Sequence, residues 1–389
     1  MIASPIRKIG RSPPVAIQTP FPAAEFDAAR RTPCLHLRRD PGGRCPTGVA
    51  PRSSSKERGG AGMDPGNEVV CAGILVADHV HTPMDALPAA GHLVAVDRMF
   101  LLTGGCAANV GVNVARQGLR VGVVGKVGDD FFGRFVREDL EGQGVDTHDV
   151  AVSQQEQTSQ TMILLCKGED RRFVHTFGAN QEFQVQDIPW KAVRQARVFY
   201  LGGYLVMPGI EPTELGKLFQ RCRRNGIRTV LDVVIPAGFR YRGELESVLP
   251  HTDVFMPNND EGEMLTGEPE PVDQALALRR KGTGTVVVTL GEHGLLLADE
   301  TGLRRASHFP SEVVDQTGTG DAFCAGFITG MVRGLSVEGC LEYGSALGAS
   351  CVRSIGCYQG VFTGAQAAEF LRENHLQIHR LTGAAAPET

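Results

Sequence analysis

The chain has 389 residues, of which 42% are hydrophobic and 21% are charged, an ordinary composition for a protein with a full hydrophobic core. The net charge of −5 and the pI of about 6.1 argue against a basic surface for nucleic acid, and no apolar run reaches the roughly 18 residues of a membrane span. The sequence therefore predicts a globular protein that binds neither nucleic acid nor a membrane.

The two ends of the chain differ from its centre. Residues 1–62 carry eleven Lys and Arg against four Asp and Glu, are rich in Pro, Ser and Gly, and lack helical or strand periodicity. This composition predicts a disordered leader, and we expect that translation in vivo starts at Met63, just before the first strand pattern. Residues 382–389 are predicted to be a flexible tail, which leaves 63–381 as the folded domain.

From Glu68 onward, short β-branched runs alternate with amphipathic helical patterns. Several of the runs are apolar without alternation, as expected for parallel strands that are covered on both faces. The predicted strands are 69–78, 121–128, 160–166, 197–202, 228–233, 253–258 and 285–291, and the predicted helices include 107–117, 131–143, 211–224 and 272–280. This order predicts an α/β fold, a three-layer α/β/α domain with a mostly parallel central sheet. Segments within about 79–103 and 160–177 alternate more and are predicted to form a small antiparallel β lid.

The strongest pattern for chemistry is VVDQTGTGDAFCAGFITG, residues 313–330. Gly318 and Gly320 allow a sharp turn that brings backbone N–H groups close to a ligand, and the helix that follows directs its partly positive N-terminus at the same place. A carboxylate beside such an anion site, Asp321, is suited to removing a proton while the amides stabilise a transferring phosphoryl group. The alternative interpretation is an ordinary capped helix.

This segment resembles the C-terminal signature of the ribokinase-like, or PfkB-type, carbohydrate kinases. A Gly-Gly-x-x-x-Asn segment that starts at Gly104 resembles their N-terminal signature, NNDEGEMLTG (258–267) resembles their Asn-x-x-Glu motif, and TLGEHG (289–294) resembles their nucleotide-binding turn. GKVGDDFFG (125–133) and GILVADH (73–79) also match in order and spacing. The six matches cover about 300 residues, so the resemblance is specific to the family.

The resemblance implies a role for each matching residue. Asp321 would be the catalytic base, and the anion-hole amides would come from Gly318, Thr319 and Gly320. The substrate hydroxyls would be bound by Asp78, Gly104, Gly105 and Asn109. The ATP and Mg²⁺ site would include Asn258, Glu261, Thr289, Gly291 and Gly294.

Each of these residues also has a plainer interpretation. Asn258 and Glu261 have the spacing of a helix-start capping pair, Asp78 can cap a loop, and Asn109 can be a buried helix residue. Many relatives bind K⁺ near the anion hole, which in this chain would use Asp315 and the backbone of residues 352–360. Here the alternative is that Asp315 only caps the turn.

The substrate is predicted to be a small neutral sugar. Cys106 stands where kinases of phosphorylated sugars often have Lys, and a fixed positive charge is the usual partner of a phosphate. We expect Cys106 to be a small buried packing residue. Asp232 is followed by VVIP rather than by the Asp-Pro-Asn-plus-Arg pattern of fructokinase-like and ketodeoxygluconate-kinase-like relatives, so no single sugar is assigned.

The leading prediction is thus an ATP- and Mg²⁺-dependent phosphotransferase with an alcohol group as acceptor. The alternatives are a nucleoside kinase of the same fold, a non-catalytic sugar-binding relative, and an NAD enzyme, which the absence of GxGxxG after the first strand disfavours. Ten cysteines without CxxC or metal-ligand spacing predict reduced thiols and a cytoplasmic protein. The predicted lid is a candidate homodimer contact.

Overall fold

The computed structural model describes residues 66–169, 171–236 and 238–381. The predicted leader, 1–62, and the predicted tail, 382–389, lie outside the described residues. Within the described residues, no helix has the length and apolar character needed to cross a membrane.

The strands form one large sheet and two small ones. In chain order they are β1 Val69–Gly73, β2 Val76–His81, β3 Met99–Gly104, β4 Val121–Val124, β5 Lys126–Gly128, β6 Ala151–Ser153, β7 Gln160–Leu164, β8 Arg172–Thr176, β9 Val198–Gly202, β10 Arg228–Leu231, β11 Val254–Phe255, β12 Thr285–Thr289, β13 Leu295–Asp299, β14 Gly302–Ala306 and β15 Ile378–Leu381. The large sheet has the order β15-β14-β13-β12-β11-β10-β9-β1-β4, the second sheet has the order β3-β2-β7-β8, and β5 pairs with β6.

The helices lie mostly between the strands of the large sheet along the chain. They are α1 Cys106–Arg116, α2 Phe131–Gly142, α3 Trp190–Val193, α4 Pro212–Arg224, α5 Asn259–Thr266, α6 Pro271–Arg280, α7 Thr319–Arg333, α8 Val337–Cys351 and α9 Gly364–Glu373. The helices predicted at 107–117, 131–143, 211–224 and 272–280 correspond to α1, α2, α4 and α6 within one residue at either end.

The large sheet is parallel from β4 to β12. Its apolar runs are buried as predicted: Val69, Val70, Cys71 and Ala72 of β1 are each 0% exposed. The sheet continues through three antiparallel pairings to β13, β14 and β15. These edge strands are absent from the sequence prediction, in which the last strand is 285–291.

The strand predicted at 69–78 is two strands in two different sheets. The backbone leaves the large sheet at Gly73, where φ is +138°, and continues three residues later as β2. A side chain at Gly73 would collide with the carbonyl oxygen of Gly202, so glycine permits this close approach. The prediction that Asp78 ends a strand of the large sheet is therefore wrong, since Asp78 lies in the middle of β2.

The second sheet is the segment predicted as a lid, and we call β3-β2-β7-β8 the lid sheet. The pairings of β2 with β3 and of β7 with β8 are antiparallel, whereas β2 and β7, its two central strands, are parallel. Because β2 continues from β1 with a gap of only two residues, Ile74 and Leu75, the lid sheet is joined directly to the large sheet.

Candidate active site

The first turn of α7 carries the strongest predicted motif. The helix begins at Thr319 with Gly318 as its N-cap, in a left-handed conformation with φ 75° and ψ 5°. Asp321 is thus the third residue of the helix. A Cβ at residue 318 would lie 2.5 Å from Cβ of Cys357, so both the backbone angle and the packing require glycine here.

The predicted anion hole lies at the same helix end. Among the described residues, no side chain caps the first turn of α7, so this turn retains the partly positive N-terminus that favours an anion. The amide and hydroxyl of Thr319 both donate to the carbonyl of Gln316. A Cβ at Gly320 would meet no atom within 4 Å, so the space beside this residue is open.

Asp321 is held by two side chains from the start of α1. Asn109 donates a hydrogen bond from Nδ2 to Oδ2 of Asp321 at 2.8 Å, and the thiol of Cys106 is a second hydrogen-bond partner. Burial raises the pKa of Asp321, and these two hydrogen bonds act in the opposite direction. Cys106 is buried, as predicted, with 8% of its surface exposed, but it also contacts the predicted base.

The Oδ1 atom of Asn109 is buried and has no hydrogen-bond partner within the described residues. Asn109 is 4% exposed, and a buried acceptor without a partner is costly. The other atom of the same amide group contacts Asp321, so this acceptor lies close to the predicted base. It is therefore suited to accept a hydrogen bond from a substrate hydroxyl.

Asp78 lies on the face of the lid sheet that is close to Asp321. The pKa of Asp78 is raised to about 7, mainly by burial and also by the negative charge of Asp321, while a hydrogen bond with the Thr161 hydroxyl acts in the opposite direction. Gly104 lies against this carboxylate, because a Cβ there would collide with Oδ2 of Asp78. Gly105, with φ 92°, is the N-cap of α1, so the two glycines connect the lid sheet to the helix that carries Asn109.

Asp232 belongs to the site although the sequence analysis assigned it no role. Its carboxylate, the Asp321 carboxylate and the Cys106 thiol lie within 4.8 Å of one another, and Oδ2 of Asp232 accepts a hydrogen bond of 3.3 Å from the buried Tyr200 hydroxyl. Burial raises the pKa of Asp232, with further increases from Glu261 and Asp321. The signal was present in the sequence: Asp232 directly follows β10, at the carboxyl edge of a parallel sheet, where ligands usually bind.

Asn258 and Glu261 form a capping box at the start of α5. Oδ1 of Asn258 accepts from the Glu261 amide, and Oε2 of Glu261 accepts from the Asn258 amide, both at 2.9 Å. The plainer interpretation of this pair is therefore correct. The pair is also part of the charged site, because the pKa of Glu261 is raised to about 7, mainly by burial and also by the neighbouring charges of Asp260 and Asp321.

The predicted nucleotide-binding turn lines a cleft of about 510 Å³. Asn258, Thr289 and Gly291 lie in its wall together with His293 and Arg305. Thr289 is bridged to Asn258, which connects this cleft to the capping box. Gly294, with φ 86°, is not in the wall, and a side chain there would collide with the Ala306 carbonyl oxygen, so its role in the structure is the turn itself.

Asp315 connects the two loops that the sequence analysis paired. Oδ1 accepts from the amide and hydroxyl of Thr317 at 2.9 and 2.7 Å, and Oδ2 accepts from the Gly356 amide at 3.1 Å. The carboxylate therefore caps the turn and also holds the 352–360 loop beside it.

Three comparisons with known proteins bear on this site. The family model for "pfkB family carbohydrate kinase" matches residues 67–363. A ribokinase from Haemophilus influenzae is 28% identical over 77% of this chain and 96% of its own length, and a 2-dehydro-3-deoxygluconokinase from Bacillus subtilis is 30% identical over 72% of this chain and 89% of its own length. The solved structure of Arabidopsis thaliana ribokinase with ribose and ATP matches with a TM-score of 0.68 at 25% identity, over 79% of this chain and all of that one. The predicted ribokinase-like fold is confirmed.

Replacing Asp78 tests the electrostatics of the site. Because the pKa of Asp78 is raised from 3.8 to about 7 in the folded state, its ionised form destabilises the fold, and stability is lost as the pH rises from about 4 through 7. Asp78→Asn should therefore raise the free energy of unfolding by roughly 1–3 kcal/mol at pH 8 and change it little at pH 4. Chemical denaturation of the ligand-free protein at the two pH values measures this difference.

The matched control is Asp85→Asn, which removes an exposed carboxylate that forms an ion pair with Lys167. It should give no stabilisation at pH 8. An Asp78→Asn effect of equal size at both pH values would show that the carboxylate is not destabilised by its surroundings.

Proposed function

The chain belongs to the pfkB family of carbohydrate kinases, and on this premise we propose that it transfers the γ-phosphoryl group of ATP to a hydroxyl of a small neutral sugar. The observation that carries the proposal is the hydrogen bond from Asn109 to Asp321 at the N-terminus of α7. It brings together the partly buried carboxylate of Asp321, the unused acceptor of the Asn109 amide and a helix end that favours anions.

Asp321 acts as the base in this proposal. Its burial raises the pKa, so the carboxylate takes up a proton more readily than an exposed aspartate does. The hydrogen bond from Nδ2 of Asn109 fixes the orientation of the carboxylate. The proton passes from the sugar hydroxyl to Asp321 as the hydroxyl oxygen attacks the γ-phosphorus atom of ATP and ADP leaves.

The N-terminus of α7 stabilises the negative charge of the transferring group. Backbone amides in a fixed orientation need no reorganisation during the reaction, and the helix dipole adds to their effect. We assign this role to Gly318, Thr319 and Gly320, with the open space beside Gly320 as the place of the phosphoryl group. The Thr319 amide would share its proton between this group and the Gln316 carbonyl, to which it donates at 3.3 Å.

The acidic residues beside this helix end suit a divalent cation. Asp232 and Glu261 are partly buried carboxylates. The charge of Glu261 raises the pKa of Asp232, and the charge of Asp321 raises the pKa of both, an arrangement that is unfavourable until a cation binds. Oxygen ligands are those that Mg²⁺ prefers, so these two residues, with Asn258, would hold it. Bound Mg²⁺ would neutralise charge on the β- and γ-phosphates.

The cleft beside Thr289 and Gly291 is the proposed nucleotide site, since its volume of about 510 Å³ lies within the usual range for small-ligand sites. Asp315 and the 352–360 loop are the proposed K⁺ site. The assignment of the K⁺ site depends on the hydrogen bond from the Gly356 amide to Asp315, because this bond places the Asp315 carboxylate beside the 352–360 loop.

A neutral sugar fits the acceptor side of the site. Asp78 and Asn109 supply hydrogen-bonding groups for hydroxyls, whereas Cys106, beside Asp321, supplies no positive charge for a phosphate on the substrate.

Free cysteines support a cytoplasmic location, because the eight cysteines in the described residues are all unpaired and buried.

A screen of acceptors tests the proposed activity. ADP release should be measured with ribose, fructose, 2-dehydro-3-deoxygluconate and adenosine, with and without K⁺, and activity with at least one neutral sugar is expected.

Asp321→Asn should lower kcat by roughly 10² or more, because the base is lost, while ATP binding stays nearly unchanged. Normal turnover of Asp321→Asn would refute the role of Asp321 as the base. In the screen, activity with adenosine alone would favour a nucleoside kinase, and a lack of activity with every acceptor would favour a non-catalytic protein.

The anion hole is tested by Gly320→Val. The added side chain meets no protein atom at its Cβ, so folding should be preserved, but it should occupy the space proposed for the phosphoryl group. We expect kcat/KM to fall by roughly 10² with an unchanged melting temperature. Unchanged kinetics would show that the phosphoryl group lies elsewhere.

The outer face of the lid sheet, opposite Asp78, is the proposed homodimer contact. Met99, Met162 and Val174 share this face by their pairing register and are 73%, 49% and 61% exposed. Such a group of exposed apolar side chains is typical of an interaction surface. Light scattering should give the mass of a dimer for the native chain and of a monomer for Val174→Glu, and a monomeric native chain would contradict the proposal.

A further inference from the structure

A row of polar side chains crosses the lid sheet beside Asp78. In the strand register, Asp78 of β2 is paired with Thr161 of β7, and Thr161 is paired with His175 of β8. Residues paired across neighbouring strands direct their side chains to the same face. Thr161 and His175 therefore lie on the face that carries Asp78, and neither is part of any motif in the sequence analysis.

Hydrogen bonds connect the three side chains of this row. Thr161 Oγ1 and His175 Nδ1 are 2.9 Å apart, and the Thr161 hydroxyl is also the hydrogen-bond partner of Asp78. A hydroxyl has one proton to donate. When Asp78 is ionised, that proton goes to its carboxylate, so Nδ1 of His175 carries a proton and donates to Thr161.

This arrangement determines what the other nitrogen of His175 offers. With the proton on Nδ1, Nε2 of the neutral ring is a hydrogen-bond acceptor. Partial burial lowers the pKa of His175, which favours the neutral ring. An edge-to-face contact with Phe177, with ring centroids 5.0 Å apart, restricts the orientation of the imidazole.

The next row on the same face is apolar. Phe100, Val80, Ile163 and Phe173 are paired in register across the four strands. On this face of the lid sheet, the hydrogen-bonding side chains are thus concentrated in the row that contains Asp78. The spacing between strands is about 4.8 Å, so His175, two strands away, lies roughly 10 Å from Asp78 along the sheet, at the far end of a small sugar.

We propose that Thr161 is a positioning residue for Asp78, and that His175 is a specificity-determining residue that accepts a hydrogen bond from the substrate hydroxyl farthest from the reacting one. The inference rests on the proposed sugar kinase activity. It adds that the protein prefers acceptors with a hydroxyl at that remote position over the corresponding deoxy compounds.

The test compares the best acceptor from the screen with its monodeoxy analogues. In the wild type, removal of one hydroxyl remote from the reacting one should lower kcat/KM by about 3–10-fold, the usual effect of a neutral hydrogen bond. In His175→Ala and in His175→Phe, which keeps an aromatic ring beside Phe177, that hydroxyl should no longer matter. Kinetics with the other analogues should keep their wild-type ratios.

His79 provides a matched control on the opposite face of the lid sheet. It has one side-chain hydrogen bond, to Gln160 at 3.1 Å, and one edge-to-face contact, with Phe132 at 5.3 Å. His79→Ala should therefore disturb the lid sheet to a similar extent but keep the preference for the remote hydroxyl.

Thr161 is tested by Thr161→Val and Thr161→Ser. The valine variant should raise KM for the sugar several-fold with little change in the KM for ATP, and the serine variant should restore the wild-type value because it keeps the hydroxyl.

The outcomes separate this inference from the proposed function. If the wild type phosphorylates no sugar, both fail. If the wild type is active but both His175 variants still discriminate against the same deoxy analogue, or His79→Ala loses the discrimination as well, the assignment of His175 is wrong. If Thr161→Ser behaves as Thr161→Val does, the assignment of Thr161 is wrong.

Discussion

The site depends on carboxylates that lie close to one another with only limited access to water. Asp321, Asp232, Asp78 and Glu261 come from different parts of the chain, and the pKa of each is raised by burial. Like charges in a medium of low polarity are unfavourable unless a proton or a cation compensates them. The same arrangement that destabilises the ligand-free protein therefore favours the binding of a cation and the transfer of a proton, which are the two needs of the proposed reaction.

Close backbone approach makes this convergence possible. Gly104 leaves room for the Asp78 carboxylate within the lid sheet, and Gly318 leaves room for Cys357, whose loop packs against the start of α7. Gly73 lets the chain pass from the large sheet into the lid sheet within a few residues. A side chain at Gly104 or at Gly318 would collide with these neighbours, and a side chain at Gly73 would collide with the carbonyl oxygen of Gly202.

Much of the fold and part of the site could be predicted, for reasons that particular residues make clear. The apolar run of β1 indicates a strand buried on both faces, and the Gly318–Asp321 turn before an apolar helix indicates an anion site. Asn258 and Glu261 show what a short motif cannot distinguish, because the same Asn-x-x-Glu spacing fits both a capping box and a residue pair in a charged site. Asp232 lay outside the prediction because it was compared with a family pattern that it does not match, although its place after β10 indicated the site.

By itself, the sequence determined the local elements and their chemistry: helices α1, α2, α4 and α6, the parallel strands, and the turn that carries Asp321. Each of these depends on neighbouring residues, so a short pattern is sufficient to identify it. Only the tertiary structure decided that Asp78 belongs to a separate lid sheet, that Asn109 contacts Asp321, and that Thr161 and His175 share a face with Asp78. These relations depend on strand register and on packing between residues far apart in the chain, which no local pattern contains.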